Sequence, residues 1–245
     1  MKILLTNDDG YLSEGLQLLT SGLSEKGHQV YVVAPDSQRS AMSHAVSFYK
    51  YLTLTKLDDY CGAVEAYAFS GTPADCVKFA YSTLGVKFDL VISGPNNGAN
   101  YGGAIWYSGT VSAAEEGAIV GIPSIALSRV GTSGSYASAV EYVVDNLEQL
   151  LATYTPNTVT NINVPRLPMI QIKGVKVAPC NNQMLFDDFF VLQEDGTWFS
   201  TGTRETITEE GCDVVLADDG YITISPVTTL KTHFSAMAKL RELEK

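Results

Sequence analysis

Apolar and polar positions in the first half of the chain follow two alternating periods. Lys2-Ile3-Leu4-Leu5-Thr6, apolar through Ile3-Leu4-Leu5, reads as a buried strand. After Gly10, leucines fall at 12, 16, 19 and 23, which is helical spacing, and Gly27 marks the stop of that helix. Val30-Tyr31-Val32-Val33-Ala34, closed by Pro35, predicts a second strand. Ala66-Tyr67-Ala68-Phe69 predicts another and leads to Thr72-Pro73, the N-cap and first position of a helix. Residues 89–93 and 123–128 read as further buried strands, with a helix over 111–120 between them. Strand runs that are apolar throughout and alternate with helices predict an α/β fold of three layers, Rossmann-like, with a mainly parallel sheet covered on both faces.

From residue 156 the texture changes. Thr and Asn become frequent, and prolines gather at Pro156, Pro165 and Pro168. Phe189-Phe190-Val191-Leu192 and Thr197-Trp198-Phe199 flank Glu194-Asp195-Gly196, while Val214-Val215-Leu216 and Tyr221-Ile222-Thr223-Ile224 flank Asp218-Asp219-Gly220. Both segments read as hairpins. The chain is therefore expected to hold an α/β core over 1–155 and a β-hairpin-rich C-terminal extension over 156–245, packed on that core.

Composition narrows the function classes. Hydrophobic residues make up 45% of the 245 positions and charged residues 18%, a balance that excludes a disordered acidic chain. Lys+Arg number 16 against 27 Asp+Glu, for a net charge of −11, and basic residues never cluster. Neither a nucleic-acid duplex nor a membrane surface is an expected partner. No run approaches the roughly 18–20 apolar residues that cross a bilayer, and the short run at the start is unlike a signal peptide. Cys61, Cys76, Cys180 and Cys212 are scattered without C-x-x-C spacing, as expected of free thiols in a cytoplasmic protein.

Chemistry concentrates where the predicted strands end. Asp8 and Asp9 follow the first strand at its carboxyl end, the edge where open α/β sheets bind ligands. Adjacent carboxylates repel unless solvated or neutralised by a cation; the alternative is that one of them caps the next helix. The second strand runs out towards Asp36 and Ser40, and the strand at 89–93 runs into Gly94-Pro95-Asn96-Asn97-Gly98-Ala99-Asn100. In a parallel sheet these loops share one edge. Their carboxylate, hydroxyl and amide oxygens suit a hard divalent ion and not zinc. Ser108-Gly109-Thr110 opens the helix at 111–120 and reads either as an anion site at a helix start or as an ordinary cap, with Ser112 and Glu115 fitting a capping box one step later. His44 follows the Ser40 loop within reach of a phosphate, and Trp106 and Tyr107 are placed either to stack on a base or to pack in the core. His28 and His233 read as solvated or structural.

Taken in order, Ile3-Leu4-Leu5-Thr6-Asn7-Asp8-Asp9-Gly10, Ala34-Pro35-Asp36 with Ser40, Ser70-Gly71-Thr72-Pro73-Ala74-Asp75, Ser93-Gly94-Pro95-Asn96-Asn97-Gly98-Ala99-Asn100 and Tyr107-Ser108-Gly109-Thr110 resemble the stationary-phase survival protein SurE family. The resemblance is dense over the first 130 residues, with later echoes in Asn161-Ile162-Asn163-Val164-Pro165 and Gly220-Tyr221-Ile222-Thr223-Ile224-Ser225-Pro226. It implies a metal-dependent 5′/3′-nucleotidase acting on nucleoside monophosphates and other small phosphate esters. It further implies one divalent ion per subunit, Mg²⁺ or Mn²⁺ with Ca²⁺ able to replace it in crystals, held by Asp8, Asp9, Ser40 and Asn96. Asn96, Gly98, Asn100, Ser108, Gly109 and Thr110 would contact phosphate, with Asn7 and His44 behind them and Asp8 and Asp9 carrying the catalysis. A homodimer or homotetramer exchanging C-terminal elements is the implied assembly. Pro95 departs from the family, which more usually has an aliphatic residue there, as does the arginine-free stretch Asn181-Asn182-Gln183. The rival reading is a non-catalytic phospho-receiver-like or nucleotide-sensing α/β module. A receiver needs a phosphoacceptor aspartate at a later strand end, where this chain has Asn96.

Overall fold

A computed structural model describes residues 1–131 and 134–244, with the backbone alone at Asp188. In chain order the elements are β1 Lys2–Thr6, α1 Glu14–Glu25, β2 Gln29–Pro35, β3 Leu54–Leu57, β4 Glu65–Phe69, α2 Pro73–Thr83, β5 Leu90–Asn97, α3 Gly109–Ile119, β6 Ser124–Arg129, α4 Ala137–Ala152, β7 Thr158–Val164, β8 Val175–Val177, β9 Phe186–Leu192, β10 Trp198–Arg204, α5 Asp213–Asp218, β11 Ile222–Thr228 and α6 Phe234–Leu240. The described strands form a nine-stranded sheet in the order β3-β4-β2-β1-β5-β6-β7-β11-β8 and a separate β9–β10 pair. From β4 to β7 every pairing is parallel; β3 and β11 join antiparallel.

The continuous apolar strands are buried on both faces, as their patterning requires. Ile3 and Leu5 of β1 pack with Leu16, Leu19 and Leu23 of α1 and Val143 and Leu147 of α4. Leu4, between them, points to the opposite layer with Cys76 and Val77 of α2 and Ala113 of α3. Chain order reverses at β1: β2 lies on one side and β5 on the other. The crevice outside the carboxyl ends of β1 and β5 is thus the topological switch point, the usual ligand position in such sheets.

Four local expectations change in the structure. Leu12 lies outside α1 and is 70% exposed, because the turn before it is tied to Ser13, where the helix starts. β5 continues past Ser93 to Asn97 with a register shift against β6 between Ser93 and Asn96. At the shift Gly94 has φ +120°, and a Cβ there would run into the Leu127 carbonyl, so only glycine fits. The helix over 109–119 is capped by Ser108, one turn before the Ser112 box. Finally, Val214-Val215-Leu216 is not a strand. It lies in α5, and Asp218-Asp219-Gly220 is that helix's end, with Gly220 N–H bonded to Ala217 O (3.1 Å) and Tyr221 N–H to Leu216 O (3.0 Å). Val214 and Ala217, three apart, bury against Tyr101 and Leu185, and that contact overrides the strand preference of the valines. The hairpin at 186–204 forms as expected, Thr201 opposite Phe189 and Trp198 opposite Leu192. No helix among the described residues is long and apolar enough to cross a membrane, and all four cysteines are free thiols.

Candidate active site

The loops after β2, β1 and β5 meet at the switch point. Asn7, fully buried, closes the β1 loop on itself: its amide group donates to Gly10 O (2.9 Å) and Ser13 Oγ (2.7 Å), and its oxygen accepts from Gly10 N–H (3.1 Å). Asn7 therefore braces the turn that presents Asp8 and Asp9. The Asp8 carbonyl accepts from the Arg39 N–H at 2.7 Å, and the Asp9 carboxylate accepts from the Asn97 N–H at 2.9 Å. Ser40 and Asn96 are thus each one residue from a direct hydrogen bond to the acid pair. Ser40 Oγ accepts from the Gln38 amide (3.0 Å). The Asn96 amide nitrogen donates to Gly98 O (2.9 Å), which leaves its side-chain oxygen without a partner among the described residues.

Burial dominates the electrostatics. Asp8 is almost wholly enclosed, and that pushes its carboxyl up to about 6, with the Thr110 hydroxyl, donating at 2.5 Å, pulling the other way and the Asp9 charge pushing up. Asp9 is also raised by burial, against the opposing Asn97 amide and the Arg129 charge. Among the described residues no Lys, Arg or His forms an ion pair with either acid. Two adjacent, desolvated carboxylates without a paired cation are unfavourable as they stand, which is the situation a bound cation relieves. The available donors are all oxygens, a set that fits Mg²⁺, Mn²⁺ or Ca²⁺. Among the described residues no group of three or more His, Cys, Asp or Glu stands together to hold a metal ion.

The start of α3 abuts the acids. Ser108 accepts from Val111 N–H (3.0 Å) as N-cap. A Cβ on Gly109 would come within 3.0 Å of the Asp8 Cβ, so glycine lets the helix approach. The first amides of the helix, at Gly109 and Thr110, have no intrahelical acceptor and carry the partial positive charge of the helix start. The Thr110 hydroxyl itself is taken up by Asp8.

Asn100 behaves differently from expectation. Its N–H donates to Asn163 Oδ1 (2.8 Å), its amide nitrogen to Ser128 Oγ (2.8 Å), and its carbonyl accepts from Asn161 (2.8 Å) and Asn163 (3.0 Å). It pins the glycine-rich loop to β6 and β7 and turns these donors inward. Asn161 and Asn163 were legible only as a family echo, although two asparagines at i and i+2 on a buried strand share a face and call for a common partner. Arg129, at the end of β6, had no sequence signal at all. It stacks 4.3 Å over the Tyr136 ring and donates to the Asn97 side chain and the Gly134 carbonyl.

His44 is held between two carboxylates of α3, Nδ1 3.3 Å from Glu115 and Nε2 3.0 Å from Glu116. Those bonds raise it to about 9 and occupy both ring nitrogens, so it fastens the Ser40 loop to α3. Trp106 and Tyr107 are 58% and 53% exposed, which removes the core-packing alternative for both. Beside the acid pair opens a cleft of about 810 Å³ whose lining includes Ser40, Asn96 and Gly98 together with Tyr101, Arg204 and Asp218. That volume is in the usual range for a small-molecule site.

Comparison with known proteins agrees with this geometry. Residues 3–186 match the family described as Survival protein SurE. The 5′-nucleotidase SurE of Desulfitobacterium hafniense is 40% identical over 99% of this chain and 96% of its own length. That of Synechococcus elongatus is 35% identical with both chains covered in full. The crystal structure of the SurE protein from Aquifex aeolicus superposes with a TM-score of 0.87 at 36% identity, covering 100% of both chains. With the sheet order, the strand-end loops and this full-length likeness all in agreement, the chain belongs to the SurE family.

Proposed function

We propose that this chain is a divalent-metal-dependent phosphomonoesterase that hydrolyses nucleoside 5′-monophosphates, and 3′-monophosphates, to nucleoside and phosphate. Relatives named 5′-nucleotidase SurE cover essentially the whole chain at 35–40% identity. The observation that carries the reading is the enclosed Asp8–Asp9 pair at the switch point, with the start of α3 alongside and, among the described residues, no ion pair to a basic side chain. Asp8, Asp9, Ser40 and Asn96 would hold one Mg²⁺ or Mn²⁺ per subunit. When bound, such an ion supplies positive charge for the phosphoryl oxygens and acidity for a water nucleophile. The chain's own groups do the rest. Thr110 orients Asp8 and favours its ionised form, and one of the two carboxylates takes the proton of the attacking water. The amides of Gly98, Gly109 and Thr110 bind phosphoryl oxygens, with the Ser108 hydroxyl beside them.

The finer expectations belong to the same proposal: a cytoplasmic enzyme, built as a core over 1–155 and an extension over 156–245, that assembles as a homodimer or homotetramer through its C-terminal elements. Its support is the exposed apolar surface there, including Phe190, Trp198 and Phe199.

The test is a panel of phosphate monoesters assayed with added Mg²⁺ or Mn²⁺ and after exhaustive chelation. Nucleoside monophosphates are expected to be hydrolysed only with metal. Asp8→Asn and Asp9→Asn are each expected to reduce turnover by several orders of magnitude while melting cooperatively. Near-normal turnover in either variant, or full activity after chelation, refutes the assignment.

A further inference from the structure

The lining of the cleft beside the acid pair includes a polar cluster that phosphate hydrolysis does not need. Arg204, the last residue of β10, donates through Nη2 to Asp218 Oδ2 (2.5 Å) and to the Tyr101 hydroxyl (3.1 Å), and that hydroxyl donates to Asp218 Oδ1 (3.0 Å). All three line the same cleft as Ser40, Asn96 and Gly98. Tyr101 is 5% exposed and forms the floor. The Arg204 and Asp218 side chains remain 52% and 41% exposed. The remaining guanidinium N–H groups have no acceptor among the described residues, and an ionised carboxylate bound by two donors keeps further lone pairs. A cation with spare donors thus sits directly beside an anion with spare acceptors.

Resting on the reading of the site as a nucleotidase, we infer that Arg204 and Asp218 read the edge of the nucleobase and favour guanine. A nucleotide whose phosphate lies against the Ser40–Asn96–Gly98 rim extends its base along the cleft to this pair. Guanine offers adjacent acceptors, O6 and N7, to a guanidinium and adjacent donors, N1–H and the 2-amino group, to a carboxylate. Adenine offers one amino group and no carbonyl, and cytosine has one amino group and no ring N–H to donate, so neither fills both halves. A surface ion pair whose sole role was to tether the hairpin to α5 would contribute little.

The experiment compares GMP, AMP, CMP and p-nitrophenyl phosphate, which has no base, on the full-length wild type, Arg204→Gln and Asp218→Asn. Expected is a wild-type kcat/KM for GMP about tenfold or more above that for CMP, in line with one well-placed bidentate contact. Each variant should lose that preference chiefly through KM, with turnover of p-nitrophenyl phosphate within about twofold of wild type. Parallel losses on GMP and p-nitrophenyl phosphate would mean that the pair only tethers the hairpin and would overturn the inference. So would a wild type that shows no base preference, or variants that keep it. If the wild type hydrolyses p-nitrophenyl phosphate but no nucleotide, base reading fails while the phosphatase chemistry stands. If it hydrolyses none of the esters, the nucleotidase reading has failed first and takes this inference with it.

Discussion

At the scale of single residues, the site depends on how Asp8 is balanced. Burial raises its carboxyl to about 6, and the 2.5 Å bond from Thr110 opposes the rise. A cation and a proton therefore compete for the same oxygens. Melting temperature is expected to rise on addition of Mn²⁺ at pH 7–8, and the gain should shrink as pH falls through about 6. Thermal unfolding across that range checks it; a gain unchanged at pH 5, or retained in Asp8→Asn, would place the ion elsewhere. The acid pair and its oxygen-only companions were legible in the sequence, because strand ends and residue types are local facts. The state of Thr110 was not. Its hydroxyl read as a phosphate contact, and only the close approach of the start of α3 to the loop after β1 turns it to Asp8.

At the scale of elements, the loop that carries Ser40 has no regular structure and is held by its contacts with α3 and α2. Ser43 N–H donates to Tyr107 O (3.0 Å), Thr72 Oγ1 to Ala45 O (2.6 Å), and His44 engages Glu115 and Glu116. Lys78 and Tyr81 of α2 approach Glu116 from the other side, 3.6 and 3.2 Å away. The folded pKa of His44, about 9, exceeds its ordinary value, so protonated His44 stabilises the fold fully below about pH 6.5, and that contribution fades as pH rises through 9. Glu116 is lowered by the same bond, and the two shifts describe one interaction. His44→Gln is expected to cost roughly 1–3 kcal/mol at pH 6 and little at pH 10. Denaturant unfolding at the two values checks the sign, and an equal loss at both pH values would assign the effect to packing alone. The sequence placed His44 near the Ser40 loop but not on α3, since the two acids lie more than 70 positions away.

At the scale of the whole molecule, β7, β11 and β8 extend the sheet begun by β1, so the later segment shares its framework with the core. The β9–β10 hairpin is different. Phe190 and Leu192 share one face with Trp198, while Phe189, Val191 and Phe199 share the other, and all six are at least 42% exposed. A lone two-stranded hairpin with both faces apolar is marginal in water and calls for a cover. Sedimentation is expected to give a dimer or larger species, and Phe190→Asp combined with Phe199→Asp should shift it to smaller ones. A monomeric wild type would refute that assembly.

The sequence by itself determined the alternation of strands and helices and the loops that bear oxygen donors, because hydrophobic period and turn residues act within a few positions. It also determined the 186–204 hairpin, whose turn lies between adjoining strands. Tertiary structure alone decided the rest. It decided that Val214-Val215-Leu216 coils into a helix, that Asn100 turns inward to Asn161 and Asn163, that His44 is held by α3, and that Arg204 meets Asp218 beside the cleft. Each of these rests on a partner distant along the chain or on burial against another element. Side-chain type does not say which distant group will stand opposite; the order and register of the packed elements do.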